Sequence, residues 1–353
     1  MPTQLIRFLV PGTSRRFRCG GLSVELQTAG LVRGCCPTEI VTYRERSAEH
    51  PFFEDLLQRE PVRSEVLWIV SWGFDVPKLI RRLAGHRVAY HAHSSGYGFS
   101  LPPGLPVLAV SRNTLGYWGD RAPRNPLFLV PNALEPQWIE RGDRQGAGLR
   151  PIDVLVQARK SSDYVLTQLV PALRRCGLAV EVQSGWVDDL VDLFNQAKVV
   201  LYDSAEYWRG RGVSEGFGLP PLEAMACGCV VFTSLNHALA DHCDPGVMVH
   251  QIGCGHLDWD ITRIQQAVAD PLAWRAMPSR LDQLLDDSGE AALQRRWIHA
   301  LQALDGLQRS DGPALISAPT WRLRLRQRLR RVSGVVERLP GWPALSMLRK
   351  PDS

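Results

Sequence analysis

Short apolar runs alternate with stretches of helical periodicity along the first part of the chain. Six of these runs are predicted to be β-strands, and the better ones are apolar enough to be buried on both faces: LIRFLVPG, TEIVTYR, VLWIVSW, RVAYHAH, VLAVS and LFLVPN. Helical patterns lie between several of them, for example over Gly21 to Arg33 and Val76 to Ala84. This alternation predicts βα units that form a parallel sheet.

The pattern is interrupted once and then resumes. The segment 140–150, ERGDRQGAGLR, is polar and glycine-rich, and five strand-like runs follow it: IDVLVQAR, AVEVQSG, KVVLYDS, GCVVFTS and GVMVHQ. We therefore predict an α/β protein with two tandem Rossmann-like, doubly wound domains facing a cleft. Residues 1–140 form the first domain, 141–150 the linker, 151–305 the second domain and 306–353 a C-terminal tail. Open parallel sheets bind ligands beyond the carboxyl ends of their strands, so the cleft is the predicted site.

Length and composition agree with this organisation. The chain has 353 residues, enough for two domains of about 150 residues each. Hydrophobic residues make up 45% and charged residues 22%, as in a globular cytoplasmic protein. No apolar run is long enough to span a bilayer, and the N-terminus does not resemble a secretory signal. The eight cysteines are scattered without zinc-ligand spacing, which predicts reduced thiols.

The segment SEGFGLPPLEAMACG, residues 214–228, places two glutamates on either side of a Gly/Pro-rich turn. It lies between two predicted strands, so it forms the loop and helix of one βα unit. The prolines suit the first helical turn and Gly228 suits the end of the helix, which puts Glu223 in the first turn and Glu215 on the approach loop. A helix N-terminus can bind a phosphate, and a carboxylate can accept two hydrogen bonds from a diol. Alternatively, Glu223 caps its helix and Glu215 is a solvated loop acid.

The string EGFGLPPLEAMACGCVVFTS closely resembles the E-x7-E signature of group 1 glycosyltransferases (family four, retaining, GT-B fold). The resemblance covers roughly residues 150–255, as expected for the domain that binds the nucleotide sugar. VDDLVDLFNQAKVVLYDS is similar to the family's segment before the motif, and LFLVPNAL to its PNG segment before the second domain. The N-terminal third, on the acceptor side, matches only in outline.

The resemblance implies roles for the residues of this segment. Glu223 would bind the ribose of the donor. Glu215, with the backbone around Phe217, Gly218 and Leu219, would contact the transferred sugar and the diphosphate. The backbone of Val187 would hold the base.

Two cations follow the first strand of the predicted second domain, in VLVQARKSS. The family uses an Arg and a Lys here, which implies that Arg159 and Lys160 are catalytic, although the usual spacing between the two is wider. Cations at a strand end can neutralise a departing diphosphate. Alternatively, both are surface cations before a helix. Asp188 and Asp189 are predicted to begin a helix rather than to bind a metal.

Two histidines lie near the end of the strand RVAYHAH in the first domain. Alternate residues of a strand share a face, so His91 and His93 point the same way. The family places a histidine near the anomeric carbon; His93 fits this offset better than His91. Gly20 and Gly21, in the RCGG segment, resemble the glycine loop that closes over the diphosphate. The alternatives are a structural histidine pair and a simple βα turn.

The resemblance implies a retaining glycosyltransferase that uses a nucleotide-diphosphate sugar, a glycan or lipid-linked acceptor, no cofactor and no nucleic acid. The D-x-D metal motif is missing from its expected place in the sequence, so we expect metal independence. One alternative is a noncatalytic GT-B relative that binds nucleotide or glycan as a partner subunit. Another is a phosphorylase or a sugar-nucleotide epimerase, although the scarcity of lysine disfavours a phosphorylase.

The net charge of +5 is carried mainly by arginine, and arginines cluster in the tail. Apolar residues recur there at helical spacing, at positions 325, 329, 332, 336 and 339. This pattern predicts a basic amphipathic helix that ends at LPGWP. Such a helix can bind an anionic surface, here the inner face of the cytoplasmic membrane, or pack its apolar face on the first domain.

Overall fold

The computed structural model describes residues 2–71, 73–234, 236–252 and 256–307. The predicted tail lies outside the described residues from residue 308 onward. The first part of the chain forms a six-stranded parallel sheet in the order β2-β1-β3-β4-β5-β6. Its strands are β1 (Leu5–Val10), β2 (Thr38–Thr42), β3 (Val66–Val70), β4 (Arg87–Ala92), β5 (Val107–Ala109) and β6 (Leu127–Leu129). The helices associated with this part are α1 (Gly20–Arg33), α2 (Phe53–Arg59), α3 (Val76–Arg82) and α4 (Arg112–Arg121). The next helix, α5 (Pro136–Arg141), packs on the second part of the chain, where the rings of Trp138 and Phe194 lie 5.5 Å apart.

The second part forms a five-stranded parallel sheet in the order β11-β10-β9-β7-β8. Its strands are β7 (Ile152–Gln157), β8 (Val180–Gln183), β9 (Ala197–Tyr202), β10 (Val230–Thr233) and β11 (His250–Gln251). Its first helices are α6 (Val170–Arg175), which continues a π-helix over Val165–Leu169, α7 (Leu190–Asn195), α8 (Ala205–Gly210) and α9 (Leu219–Ala226). The remaining helices are α10 (Leu257–Ala269), α11 (Pro271–Trp274), α12 (Pro278–Ser288) and α13 (Glu290–Gly306).

Apolar strands explain why both sheets are covered on both faces. All five residues of β3 are buried, and so are the apolar residues at the middle of β7 and β9. Helices pack on the two sides of each sheet, and the side chains form separate apolar clusters on the two faces. All eleven predicted strands are present, and the prediction of two Rossmann-like α/β domains is confirmed.

Each sheet has a topological switch point. In the second sheet the chain leaves β7 to one side for β8 and returns to the other side for β9. The carboxyl ends of β7 and β9 therefore lie side by side with their following loops diverging, which is where doubly wound sheets bind ligands. Lys160 follows β7, and Tyr202 ends β9.

Two contacts involve segments near the predicted domain boundaries. The boundaries themselves stay a prediction. The predicted linker is held against the second sheet by the buried guanidinium of Arg150, which donates to the carbonyl oxygens of Asp143, Ala197 and Cys227. The helix α13, within the range assigned to the second domain, packs on the first sheet, where the rings of Trp297 and Phe8 lie 5.7 Å apart. The described chain holds no helix with the length and apolarity needed to cross a bilayer.

Candidate active site

Glu215 is the centre of a buried polar group at the switch point of the second sheet. Only 5% of its surface is exposed. Its Oε2 accepts hydrogen bonds from the Tyr202 hydroxyl at 2.7 Å and from Nε1 of Trp208 at 2.6 Å. Its Oε1 lies 3.2 Å from Nζ of Lys160. We call these four residues the Glu215 cluster; it satisfies the rule that a buried charge must be paired and hydrogen-bonded.

The partners of Glu215 all donate hydrogen bonds to its carboxylate. Burial and the adjacent carboxylate raise the pKa of Tyr202 well above its usual value, so this phenol remains a neutral donor. Trp208, on α8, can only donate, and its ring lies 4.9 Å from Nζ of Lys160. The alternative that Glu215 is a solvated loop acid is therefore excluded, since donors enclose its carboxylate.

The two predicted cations have different environments. Lys160 has a left-handed backbone with φ of 76°, which is uncommon for a residue other than glycine and places its ammonium on Glu215. Arg159 is exposed and makes no hydrogen bond or ion pair with the described residues. The structure therefore brings Lys160, and not Arg159, into the cluster.

The loop between the two glutamates is held by close packing. Gly218 has a φ of 83°, and a side chain there would overlap Leu239. Its carbonyl oxygen accepts a hydrogen bond from Nε2 of His242 at 3.0 Å, and the His242 ring lies 4.8 Å from that of Phe217. Burial lowers the pKa of His242 to about 4, so this histidine is a neutral donor at physiological pH. His242 was not predicted; it fixes the turn that begins α9.

The position of Glu223 corrects one prediction. The helix α9 begins at Leu219, with Pro220 and Pro221 in its first turn, so Glu223 is the fifth helical residue and lies in the second turn. The reason is that Gly218, in its left-handed conformation, is the N-cap. Burial, together with the charge of Glu135, raises the pKa of Glu223 to about 8. As predicted, Gly228 ends the helix with a φ of 70°.

The two histidines of the first domain share a partner that the sequence did not reveal. Nδ1 of His91 and Nε2 of His93 each lie 2.8 Å from the same oxygen, Oε2 of Glu25 on α1. Glu25 and His91 are 1% exposed, whereas 19% of the His93 side chain is exposed. Glu25 stands on the buried face of α1, at helical spacing from Leu22, Ala29 and Val32. A charged residue in an apolar helical stripe was the signal that could have identified it.

The two domains touch beside both groups. The Ser95 and Ser214 hydroxyls are 2.6 Å apart, and the amide of Ser214 donates to the carbonyl oxygen of Ser95 at 3.2 Å. A side chain at Gly216 would overlap the carbonyl oxygen of His93. The backbones of His93 and of the loop after Glu215 are thus in direct contact.

The remaining predicted residues lie at the ends of other elements. Gly20 and Gly21 are not a loop but the exposed first turn of α1, whose N-cap is Cys19. Val187 is half-buried in the loop after β8. The adjacent Trp186 is 71% exposed, and the guanidinium of Arg18 lies 5.9 Å from its ring centroid, which is a second contact between the domains. Asp189 caps α7 through the amide of Asp192, as predicted for a helix start.

Among the described residues, one group has the composition and spacing of a metal site: Glu25, His91 and His93, whose ligand atoms lie within 4.8 Å of one another. Asp188 and Asp189 are not part of such a group. The short distances from one carboxylate oxygen to both ring nitrogens are those of hydrogen bonds.

Comparison with known proteins gives one family match, which covers part of the chain. Residues 180–300, which include Glu215 and Glu223, match the family model for glycosyl transferases group 1. The match confirms the resemblance to group 1 glycosyltransferases. No curated protein matches the chain.

Several solved structures share the fold. The Anabaena protein HepE, in complex with UDP and glucose, has a TM-score of 0.61 and 15% identity over 85% of this chain and 100% of its own. Sucrose-phosphate synthase from Thermosynechococcus elongatus has a TM-score of 0.59 and 15% identity over 86% and 99%. AviGT4, a glycosyltransferase involved in avilamycin A biosynthesis, has a TM-score of 0.57 and 14% identity over 86% and 99%. At such identities the likeness shows the fold alone, which is GT-B.

Proposed function

We propose that this group 1 glycosyltransferase of the GT-B fold transfers a sugar from a nucleotide-diphosphate donor to a glycan or lipid-linked acceptor, with retention and without a metal ion. The observation that carries the proposal is the Glu215 cluster, a paired, buried carboxylate at the switch point. The next residue, Gly216, contacts the backbone of His93 from the other domain. A UDP-sugar is the first donor to test, since the HepE structure holds UDP and glucose.

The second domain binds the donor. Glu223 accepts hydrogen bonds from the ribose hydroxyls, and the loop at Val187 holds the base. The amides at the start of α9, at Gly218 and Leu219, face the diphosphate, where the positive end of the helix dipole stabilises negative charge. Lys160 supplies the nearest full charge, and we assign it the larger part of leaving-group stabilisation.

The first domain completes the site from the other side of the cleft. The exposed first turn of α1 at Gly20 and Gly21 presents unpaired amides to the diphosphate. His93 presents its exposed edge to the transferred sugar, with His91 buried behind it.

The bonding of Glu215 supports a retaining reaction that uses no protein nucleophile. Both of its oxygens already accept hydrogen bonds, and Lys160 neutralises its charge, which makes it a poor nucleophile. This supports a front-face reaction without a covalent glycosyl-enzyme. The bond from the anomeric carbon to the phosphate oxygen breaks, the acceptor oxygen bonds to the same face, and the acceptor proton passes to the departing phosphate oxygen.

Metal independence is proposed because protein groups already supply positive charge where the diphosphate leaves. We assign Lys160 and the N-termini of α1 and α9 to the stabilisation of that charge. Arg159 is a further candidate, although it stands apart from the cluster in the structure.

The decisive experiment is an assay of the purified full-length protein against a panel of nucleotide sugars, with and without EDTA. We expect binding and slow hydrolysis of one donor, unaffected by EDTA, and an α-linked product from an α-linked donor. Nucleotide binding without hydrolysis or transfer to any acceptor would favour the noncatalytic relative instead.

A lipid-linked acceptor would place the enzyme on the inner face of the cytoplasmic membrane, and the arginines of the tail would help to hold it there. Co-sedimentation with anionic and neutral vesicles tests this, using the full chain and a version ending at Ala318. Equal, negligible binding of both proteins to anionic vesicles would contradict it.

A further inference from the structure

We propose that Glu25 is a positioning residue that fixes the tautomer of His93, so that Nδ1 is the nitrogen presented to the substrate. The proposal rests on the proposed function in one respect, namely that His93 contacts the substrate. Glu25 itself lies behind the histidines, on α1, and does not reach the cleft.

The geometry is that of a carboxylate shared by two imidazoles. One oxygen, Oε2, lies 2.8 Å from Nδ1 of His91 and 2.8 Å from Nε2 of His93. The two rings are 4.2 Å apart, and Trp297 closes the far side of His91 at 5.5 Å. The other oxygen, Oε1, is buried and accepts no hydrogen bond from the described residues. The histidines are therefore the polar partners that stabilise this carboxylate.

The protonation states follow from these contacts. Burial opposes ionisation of Glu25, but His91 and His93 outweigh it and hold its pKa well below the usual range. Burial lowers the pKa of His91, so this imidazole is neutral at physiological pH. An ionised carboxylate only accepts hydrogen bonds, so both ring nitrogens that face it must carry hydrogen.

The consequence for His93 is a single tautomer. With hydrogen on Nε2, the neutral ring keeps its lone pair on Nδ1, which has no partner among the described residues. His93 is also the one member of the group with a substantially exposed side chain. Nδ1 is thus left to accept a hydrogen bond from a substrate hydroxyl. An imidazole free to exchange tautomers would present a donor for part of the time.

The two histidines have different roles, which explains why both are present. His91 is fully buried and donates a hydrogen bond to Oε2 of Glu25 from the protein interior. His93 donates to the same oxygen, so Glu25 fixes the orientation of the His93 ring at the cleft. Second-layer groups that fix a histidine tautomer commonly affect activity strongly without touching the substrate.

The test combines spectroscopy and kinetics on the full chain. Two-bond proton–nitrogen correlation spectra of the histidine side chains should show hydrogen on Nε2 of His93 and on Nδ1 of His91. In Glu25→Met, which removes both charge and acceptor, this fixed pattern should be lost, and kcat should fall by about tenfold or more with little change in donor KM. Thr28→Val, on the same buried face of α1, is the matched control and should keep the wild-type pattern and kcat.

A second variant keeps the proposal testable if Glu25→Met does not fold. Glu25→Gln retains an acceptor oxygen but removes the charge, so the tautomers should persist.

Three results would overturn the proposal. The first is hydrogen on Nδ1 of the neutral His93 ring in the wild-type protein, and the second is an unchanged kcat in a folded Glu25→Met. The third is one equivalent of tightly bound zinc or manganese. The last result would make the group a metal site. Failure of the proposed function is distinguishable, since it would abolish donor turnover in the wild type while leaving the tautomer pattern unaffected.

Discussion

Each domain buries one carboxylate beside the cleft, and the two are stabilised in different ways. Glu215 is held by a lysine and by two aromatic donors whose protonation does not change near neutral pH. Glu25 is held by two histidines, the side chains whose charge changes most readily in that range. Glu215 is thus paired with a cation and with donors that cannot change tautomer, whereas Glu25 is paired with two imidazoles whose tautomers it can select.

We expect the greatest loss of kcat when the charge of Glu215 in the second domain is removed. Glu215→Gln should lower kcat by roughly 100-fold, the size expected for removal of one preorganised electrostatic group. The measurement is steady-state transfer from the preferred nucleotide sugar. Glu206→Gln, on the exposed face of α8, is the control. Equal kcat values for the two variants would show that Glu215 has no special role.

The neighbouring cations give a matched pair for the same environment. Lys160→Ala should weaken binding of the nucleoside diphosphate by about tenfold or more, since a hydrogen bond to a charged group contributes about 1.5–3 kcal/mol. Binding of the free nucleoside should change little. Arg159→Ala should have a much smaller effect, because Arg159 is exposed and outside the cluster. Calorimetry with nucleoside and nucleoside diphosphate measures both, and a larger loss in Arg159→Ala would reverse the assignment.

The next prediction concerns binding of the donor ribose by Glu223. Glu223→Ala should weaken binding of nucleoside and nucleoside diphosphate alike, by about tenfold, because it removes hydrogen bonds to a part that both ligands share. The ratio of the two affinities therefore separates Glu223 from Lys160. A folded Glu223→Ala protein with wild-type affinity for the nucleoside would exclude this role.

A separate effect concerns stability, because the second domain contains a carboxyl group with a raised pKa. The pKa of Glu223 is about 8 in the folded protein, against an ordinary value of 4.5. The folded state therefore holds a proton that the unfolded state releases between these values, and the stability of the wild type falls as pH rises through this window. Glu223→Gln removes this dependence, so its free energy of unfolding should gain on that of the wild type from pH 5 to about pH 8. Parallel denaturant titrations across that range would detect the divergence, and parallel curves would contradict it.

The fold was predictable because buried parallel strands are apolar along their whole length. The runs at β3 and β9 could be read as strands without knowledge of their neighbours. The two glutamates of the second domain could be singled out as candidates, since they stand within one short, glycine-rich segment.

Contacts between distant segments were not predictable in the same way. Glu25 and His93 lie 68 positions apart, on a helix and after a strand, and only the packing of α1 on the sheet brings them together. Likewise, the sequence shows that Arg159 and Lys160 are adjacent, but not that the left-handed backbone of Lys160 directs only one of them to Glu215. The helix α9 begins earlier than predicted, because Gly218 in its left-handed conformation is its N-cap.

The contact between Gly216 and the carbonyl oxygen of His93 makes position 216 a spacer whose thickness is set by one side chain. Hydrogen is the thinnest choice, and it lets the two backbones touch. A methyl group there would act as a wedge that holds the two sheets apart without altering any charged group beside the cleft. Gly216→Ala is therefore a tool for trapping a wider cleft, in which each half of the site could be studied without the other.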